Sequence, residues 1–131
     1  MHQDHITLIV PAKSEFAKTV RMTAAALVAR TNMTYDDVED VRMAAEEAFV
    51  YAMEILPAES PVRFEFAVSE NQLDIDVNLG NEVLPSEEAA DRCAEYAMFI
   101  LESVCDENLF ESDENGAHLH LIKRVGSGDA D

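Results

Sequence analysis

The sequence predicts an α+β two-layer sandwich: three helices on one face of a mixed, mostly antiparallel sheet, in the order βααββαββ. Two observations carry this. Segments such as 62–68 (VRFEFAV) and 73–77 (LDIDV) alternate apolar and polar residues, so each strand supplies a single apolar face. Between the strands lie long stretches with apolar residues at three- and four-residue steps, the signature of helices that bury one stripe.

Each element has its own signal. Residues 5–10 (HITLIV) read as a strand closed by Pro11. Ser14 is placed to cap a helix running to about Arg30, with Phe16, Val20, Ala24, Leu27 and Val28 as its buried stripe. Thr34-Tyr35-Asp36-Asp37 reads as a capping box with aspartate in the glutamate position, and Asp36, Asp37, Glu39 and Asp40 crowd a first turn whose dipole favours anions. The second helix extends to about Leu56 and stops at Pro57. Val41, Ala44, Ala45, Ala48, Ala52 and Ile55 form its small-residue face. Glu47 and Tyr51 lie one turn apart on the neighbouring stripe, with Met43 before and Glu54 after.

Ser69-Glu70-Asn71 is turn chemistry joining the two alternating segments into an antiparallel hairpin. Pro85-Ser86 opens a third helix from Glu87 to about Cys105, packing Ala90, Cys93, Ala94, Ala97, Leu101 and Val104. A weak strand at 108–111, a turn at Asn115-Gly116 and a strand at 117–123 (AHLHLIK) complete the chain. Residues 1–125 are expected to form one domain and 126–131 a disordered acidic tail.

Composition narrows the function classes. Nine Lys and Arg stand against 27 Asp and Glu, a formal net charge of -18. That balance argues against direct nucleic-acid binding and against anionic membrane surfaces, and favours encounter with a basic protein. No stretch approaches the roughly 20 apolar residues of a membrane span. The start, MHQDHITLIV, has no basic segment followed by a long apolar one, so a cytoplasmic protein with reduced thiols is expected. Cys93 and Cys105 fall in one helix about 18 Å apart and cannot pair there. His118 and His120 share one face of the last strand. They could join His2 and His5 in a zinc site only if the chain ends converge, so exposed strand histidines are the simpler reading and no metal is expected.

Glu47-Ala48-Phe49-Val50-Tyr51-Ala52 resembles the Glu-Ala-x-x-Asn-Ala signature in the second helix of the anti-sigma-factor serine kinases, small bacterial members of the histidine-kinase-like ATPase superfamily. The element order resembles theirs from Ile6 to Arg124. The resemblance implies an ATP site between helices and sheet. A glutamate acts there as base, an asparagine one turn later holds magnesium, an Asp-x-Gly-x-Gly loop reads adenine, and a glycine-rich helix start cradles the phosphates.

Against that pattern Glu47 is present, although surface glutamates on helices are common. Tyr51 replaces the asparagine, and a protonated phenol is a poor magnesium ligand. Leu79 falls where the adenine-reading aspartate is expected. The connection at 80–86 is short for a lid. Glu87 and Glu88 stand at the helix start where glycines and free amides are needed, and their charge repels phosphate.

The expectation is therefore a degenerate member with no catalytic residue beyond a vestigial Glu47 and no cofactor. It would act on a sigma factor or an anti-sigma antagonist by protein contact, in transcriptional regulation. The family's use of the first helix implies a contact through Arg21 and the acidic flank Asp36, Asp37 and Asp40, although an ion pair with Glu15 or a nearby aspartate would account for Arg21 equally. The family's habit also implies a homodimer. Two alternatives stand beside this reading. One is an active serine/threonine kinase using ATP and magnesium. The other is a structural or oligomerisation domain.

Overall fold

Alternation along the strands and helical periodicity between them build two layers in the computed structural model, which describes residues 3–80, 96–97, 99–113 and 116–126. The strands are β1 (Asp4–Pro11), β2 (Pro61–Ser69), β3 (Gln72–Asn78), β4 (Glu107–Asp113) and β5 (Gly116–Arg124). They form one sheet in the order β1-β2-β3-β5-β4. All four pairings are antiparallel, so the sheet is not mixed as expected. The hairpin closes with Ser69 opposite Gln72, as the turn chemistry implied.

A 3-10 turn, Ser14–Phe16, leads into α1 (Ala17–Val28). Ser14 therefore does not cap α1; the chain enters through the tight turn, without a side-chain cap. Helix α2 (Tyr35–Ile55) begins with the expected capping box: the Thr34 hydroxyl accepts from the Asp37 N–H, and the Asp37 carboxylate accepts from the Thr34 N–H. A third helix, α3, is described at 96–97 and 99–104.

Val20, Ala24 and Val28 of α1 and Val41, Ala44, Ala48 and Ala52 of α2 are buried, as periodicity required. Small residues on α2 let it lie close to the sheet, where Phe49 meets Phe64 and Phe64 stacks on Phe66. Ala97, Leu101 and Val104 bury the inner side of α3. Among the described residues the other face of the sheet carries no helix. No described helix is long and apolar enough to cross a membrane. The expected tail from Ser127 onward, Cys93 and the start of α3 lie outside the described residues.

Candidate functional site

Helix geometry decides which side chains of α2 leave the core. Residues 43, 47, 51 and 54 advance by three or four and share one stripe of the helix. Glu47 on this stripe is half-buried. Burial holds its carboxyl above the usual glutamate range, and the neighbouring charges of Glu46 and Glu54 push it further the same way. It borders a shallow cavity of about 230 Å³ with Arg21, Glu39, Arg42, Met43 and Glu46.

One turn on, Tyr51 is only 4% exposed. Its ring meets Phe110 of β4 edge-on, with centroids 6.2 Å apart and planes at 82°. Where the resemblance implies a magnesium-binding amide, the molecule therefore has a packed aromatic pair. Leu79 is also buried, and its N–H donates to the Ala117 carbonyl at 2.8 Å. Gly80 follows in the left-handed region, φ 73°, with its N–H held by the Asn78 side chain at 2.7 Å. The described residues thus put a buried leucine and a packed phenol where the resemblance implies the adenine-reading aspartate and the magnesium-binding asparagine. Glu87, Glu88 and the 81–86 connection lie outside the described residues.

The first-helix surface differs from expectation in its pairing. Arg21 bonds Glu46 of α2, a bridge between helices, while Glu15 pairs with Lys13 at 3.5 Å. Arg42 reaches Glu39 through Nη1 at 3.0 Å, and its Nε is buried without a partner. Met22 and Met43 are half-exposed on the same helical layer.

Of the expected acidic flank, Asp36 alone is exposed. Asp37 is 5% exposed, and its carboxylate also accepts the Gly126 N–H at 3.0 Å and lies 3.8 Å from Lys123 Nζ. Asp40 takes a 3.0 Å hydrogen bond from the same ammonium. Lys123, 7% exposed, projects from β5 into the core side, which alternation hid because a lysine ends the run AHLHLIK. Burial alone would raise the Asp37 carboxyl pKa, but the Gly126 and Thr34 N–H groups, the Thr34 hydroxyl and the Lys123 charge outweigh it and leave it low. Asp37 is thus an internal tie between α2 and β5, a correction to its placement on a free acidic flank, while Asp40 pairs with the same lysine and stays partly exposed.

Among the described histidines, His5 on β1 is separated by β2 and β3 from His118 and His120 on β5, and His2 lies outside the described residues. What sequence reasoning missed is the carboxylate row beside them. His118 Nδ1 lies 3.0 Å from Asp76, and His120 lies 3.6 Å from Asp76 and 4.0 Å from Asp74. Among the described residues no group of three or more His, Cys, Asp or Glu is arranged to hold a metal ion. Cys105 is an unpaired thiol whose pKa burial pushes up to about 12.

No family model matches the chain. The serine-protein kinases RsbW of Staphylococcus aureus strains JH9 and NCTC 8325 are each 26% identical to it over 127 residues, covering 94% of this chain and 76% of theirs. A solved structure of the RsbU and RsbW domains of a Mycobacterium tuberculosis protein superimposes with a TM-score of 0.66 at 18% identity. It covers 95% of this chain, which spans 33% of that longer chain. The layered fold is thus shared with that neighbour.

Proposed function

From its homology to the RsbW serine-protein kinases, we infer that this chain is an anti-sigma-type regulator that acts by protein contact and no longer uses a nucleotide. The observation that carries the second half is Tyr51, buried against Phe110 one turn after the retained Glu47. A ring packed in that place removes both the metal ligand and the room for one. The partner class is a sigma factor or an anti-sigma antagonist with a basic contact surface, met in the cytoplasm. The contact centres on α1 and α2 at Arg21, Met22, Met43 and Asp36, beside the cavity that Glu47 borders. Homodimerisation is part of this reading.

Titration calorimetry with Mg-ATP tests it. No heat of binding is expected. A dissociation constant tighter than about 100 μM, about -5.5 kcal/mol, ends the degenerate-site reading. For the contact, binding to the cognate sigma factor or antagonist should slow as salt rises. Arg21→Glu sets like charges against each other at Glu46 and should speed dissociation. Equal rates in low and high salt, with Arg21→Glu binding as tightly as the parent, remove the assigned surface.

A second reading, an active serine kinase, is favoured by one observation: Glu47 is half-buried with a raised proton affinity, the condition of a general base. Phosphate transfer from ATP to an antagonist protein, lost in Glu47→Gln, would establish it.

A further inference from the structure

Buried apolar contact holds most of α2, but not its start. Of residues 35–40 the buried one is Asp37, and apolar burial begins at Val41 and continues through Ala44, Ala45 and Ala48. The other side chains of 35–40 are exposed or half-buried. A stretch anchored through one carboxylate belongs to the low end of the range of local stabilities.

That carboxylate is held by the end of β5. Asp37 Oδ2 accepts from the Thr34 N–H at 3.1 Å, closing the cap, and from the Gly126 N–H at 3.0 Å. Lys123 Nζ stands 3.8 Å from Asp37 Oδ1 and 3.0 Å from Asp40 Oδ2. Gly126 lies in a turn at φ 65°, a backbone state that glycine takes without strain. Neighbouring turns fasten the same corner: the Val125 N–H donates to the Asn71 carbonyl at 2.9 Å and the Asn32 N–H to the Glu70 carbonyl at 3.0 Å. Polar bonds between segments remote in the chain do at the start of α2 what apolar packing does further along it.

The same turns of α2 form one wall of the cavity that Glu47 borders. Arg42 Nη1 donates to Glu39 at 3.0 Å, and both residues line that cavity. Among the described residues the Arg42 Nε is buried with no hydrogen-bond partner. An unmade bond at a buried donor destabilises the state that buries it, so the closed form of this corner carries a bias toward opening.

We propose that the end of β5 is a latch: when Gly126 and Lys123 release Asp37, residues 35–40 open as one unit as far as Val41, which takes Glu39 off Arg42 and dismantles that wall of the cavity. Residues 123–126 thus control the shape of a surface on α1 and α2 that they do not line. The bearing on partner binding rests on the contact surface proposed above; the latch itself does not.

Native-state hydrogen exchange of the full chain, read by NMR at low urea concentrations, tests the latch without a partner, so its outcome is separate from the salt test of the contact surface. In the parent, the amides of 38–41 should be protected at least about tenfold less than those of 48–52. Their exchange should depend little on urea, since a local opening exposes little surface, while 48–52 follow the global slope. Gly126→Pro removes the N–H and forbids the φ, and should speed exchange at 38–41 about tenfold with 48–52 changed less than about threefold. The Arg42 Nε–H should speed by the same factor, because the same opening uncovers it. Gly126→Ala keeps the N–H, meets nothing within 4 Å of its added carbon, and should fall between the two. Amides of 38–41 that share the protection and urea slope of 48–52 in the parent overturn the proposal. So does an Arg42 Nε–H that Gly126→Pro leaves unchanged. Should Gly126→Pro fail to fold, the two urea slopes of the parent decide alone.

Discussion

Replacing Asp37 by alanine should cost stability on a scale the structure fixes. The substitution deletes half of a capping box, about 1 kcal/mol. It also strips the acceptor from the Gly126 N–H and leaves the buried Lys123 with Asp40 as its remaining carboxylate partner among the described contacts. The lost Gly126 bond adds about 1–2 kcal/mol and the 3.8 Å ion pair with Lys123, which keeps Asp40, about 0–1 kcal/mol, so the total is about 2–4 kcal/mol. For a chain of this size that lowers Tm by roughly 10 °C.

The pH dependence has a definite sign. The folded carboxyl has a lower pKa than the unfolded one, so its stabilisation is present above the unfolded value of about 3.9 and is lost as pH falls through the lower folded value. Urea denaturation of parent and Asp37→Ala at pH 7 and pH 3 measures both effects, and the two curves should converge toward low pH. A difference below about 0.5 kcal/mol at pH 7, the range of an ordinary surface change, would falsify the internal-tie assignment. Asp37→Asn keeps an acceptor for the cap and should fall between the two.

Tyr51→Asn should cost about 3 kcal/mol by opening a cavity against Phe110 and should still bind no Mg-ATP; denaturation and calorimetry on one preparation check both halves. Glu47→Gln should raise Tm at pH 7, because an acid whose folded pKa is raised costs stability once pH exceeds its unfolded value of about 4.3. The gain should vanish near pH 4, and a gain unchanged between the two pH values contradicts the burial argument. Native Cys105 should react with iodoacetamide at pH 8 about a thousandfold more slowly than after unfolding, as followed by site-resolved mass spectrometry; equal rates would mean an exposed thiolate.

The second helix shows what can be read before folding and what cannot. Its capping box, its small-residue stripe and its end near Pro57 depend on neighbours in the chain, and all three stand in the structure. The hairpin is local in the same sense, since Ser69 and Gln72 meet across a two-residue turn. Ser14 failed as a cap because the entry to α1 answers to packing, with Ala12 hydrogen-bonded to Ser60 across the sheet edge, and a tight turn fits that route better. The parallel component expected of the sheet failed because strand order is a long-range property that alternation does not encode.

The candidate site divides along the same line. That a phenol, Tyr51, stands where the resemblance implies an amide was plain in the sequence and needed no coordinates. That it is buried on Phe110, 59 positions away in the chain, needed β4 to be brought under α2. The acidity of Asp37 and Asp40 was plain in the sequence. Their use was not, because an aspartate near a helix start looks alike whether it faces water or a lysine 83 residues on. Likewise the carboxylates beside His118 and His120 sit on a strand 42 residues earlier, and sheet register alone brought them within reach. Local chemistry and periodicity thus determined the elements, the net charge and the phenol at position 51. Tertiary pairing decided which charges are ties and which remain surface, because burial and distance between remote residues arise only when the layers close.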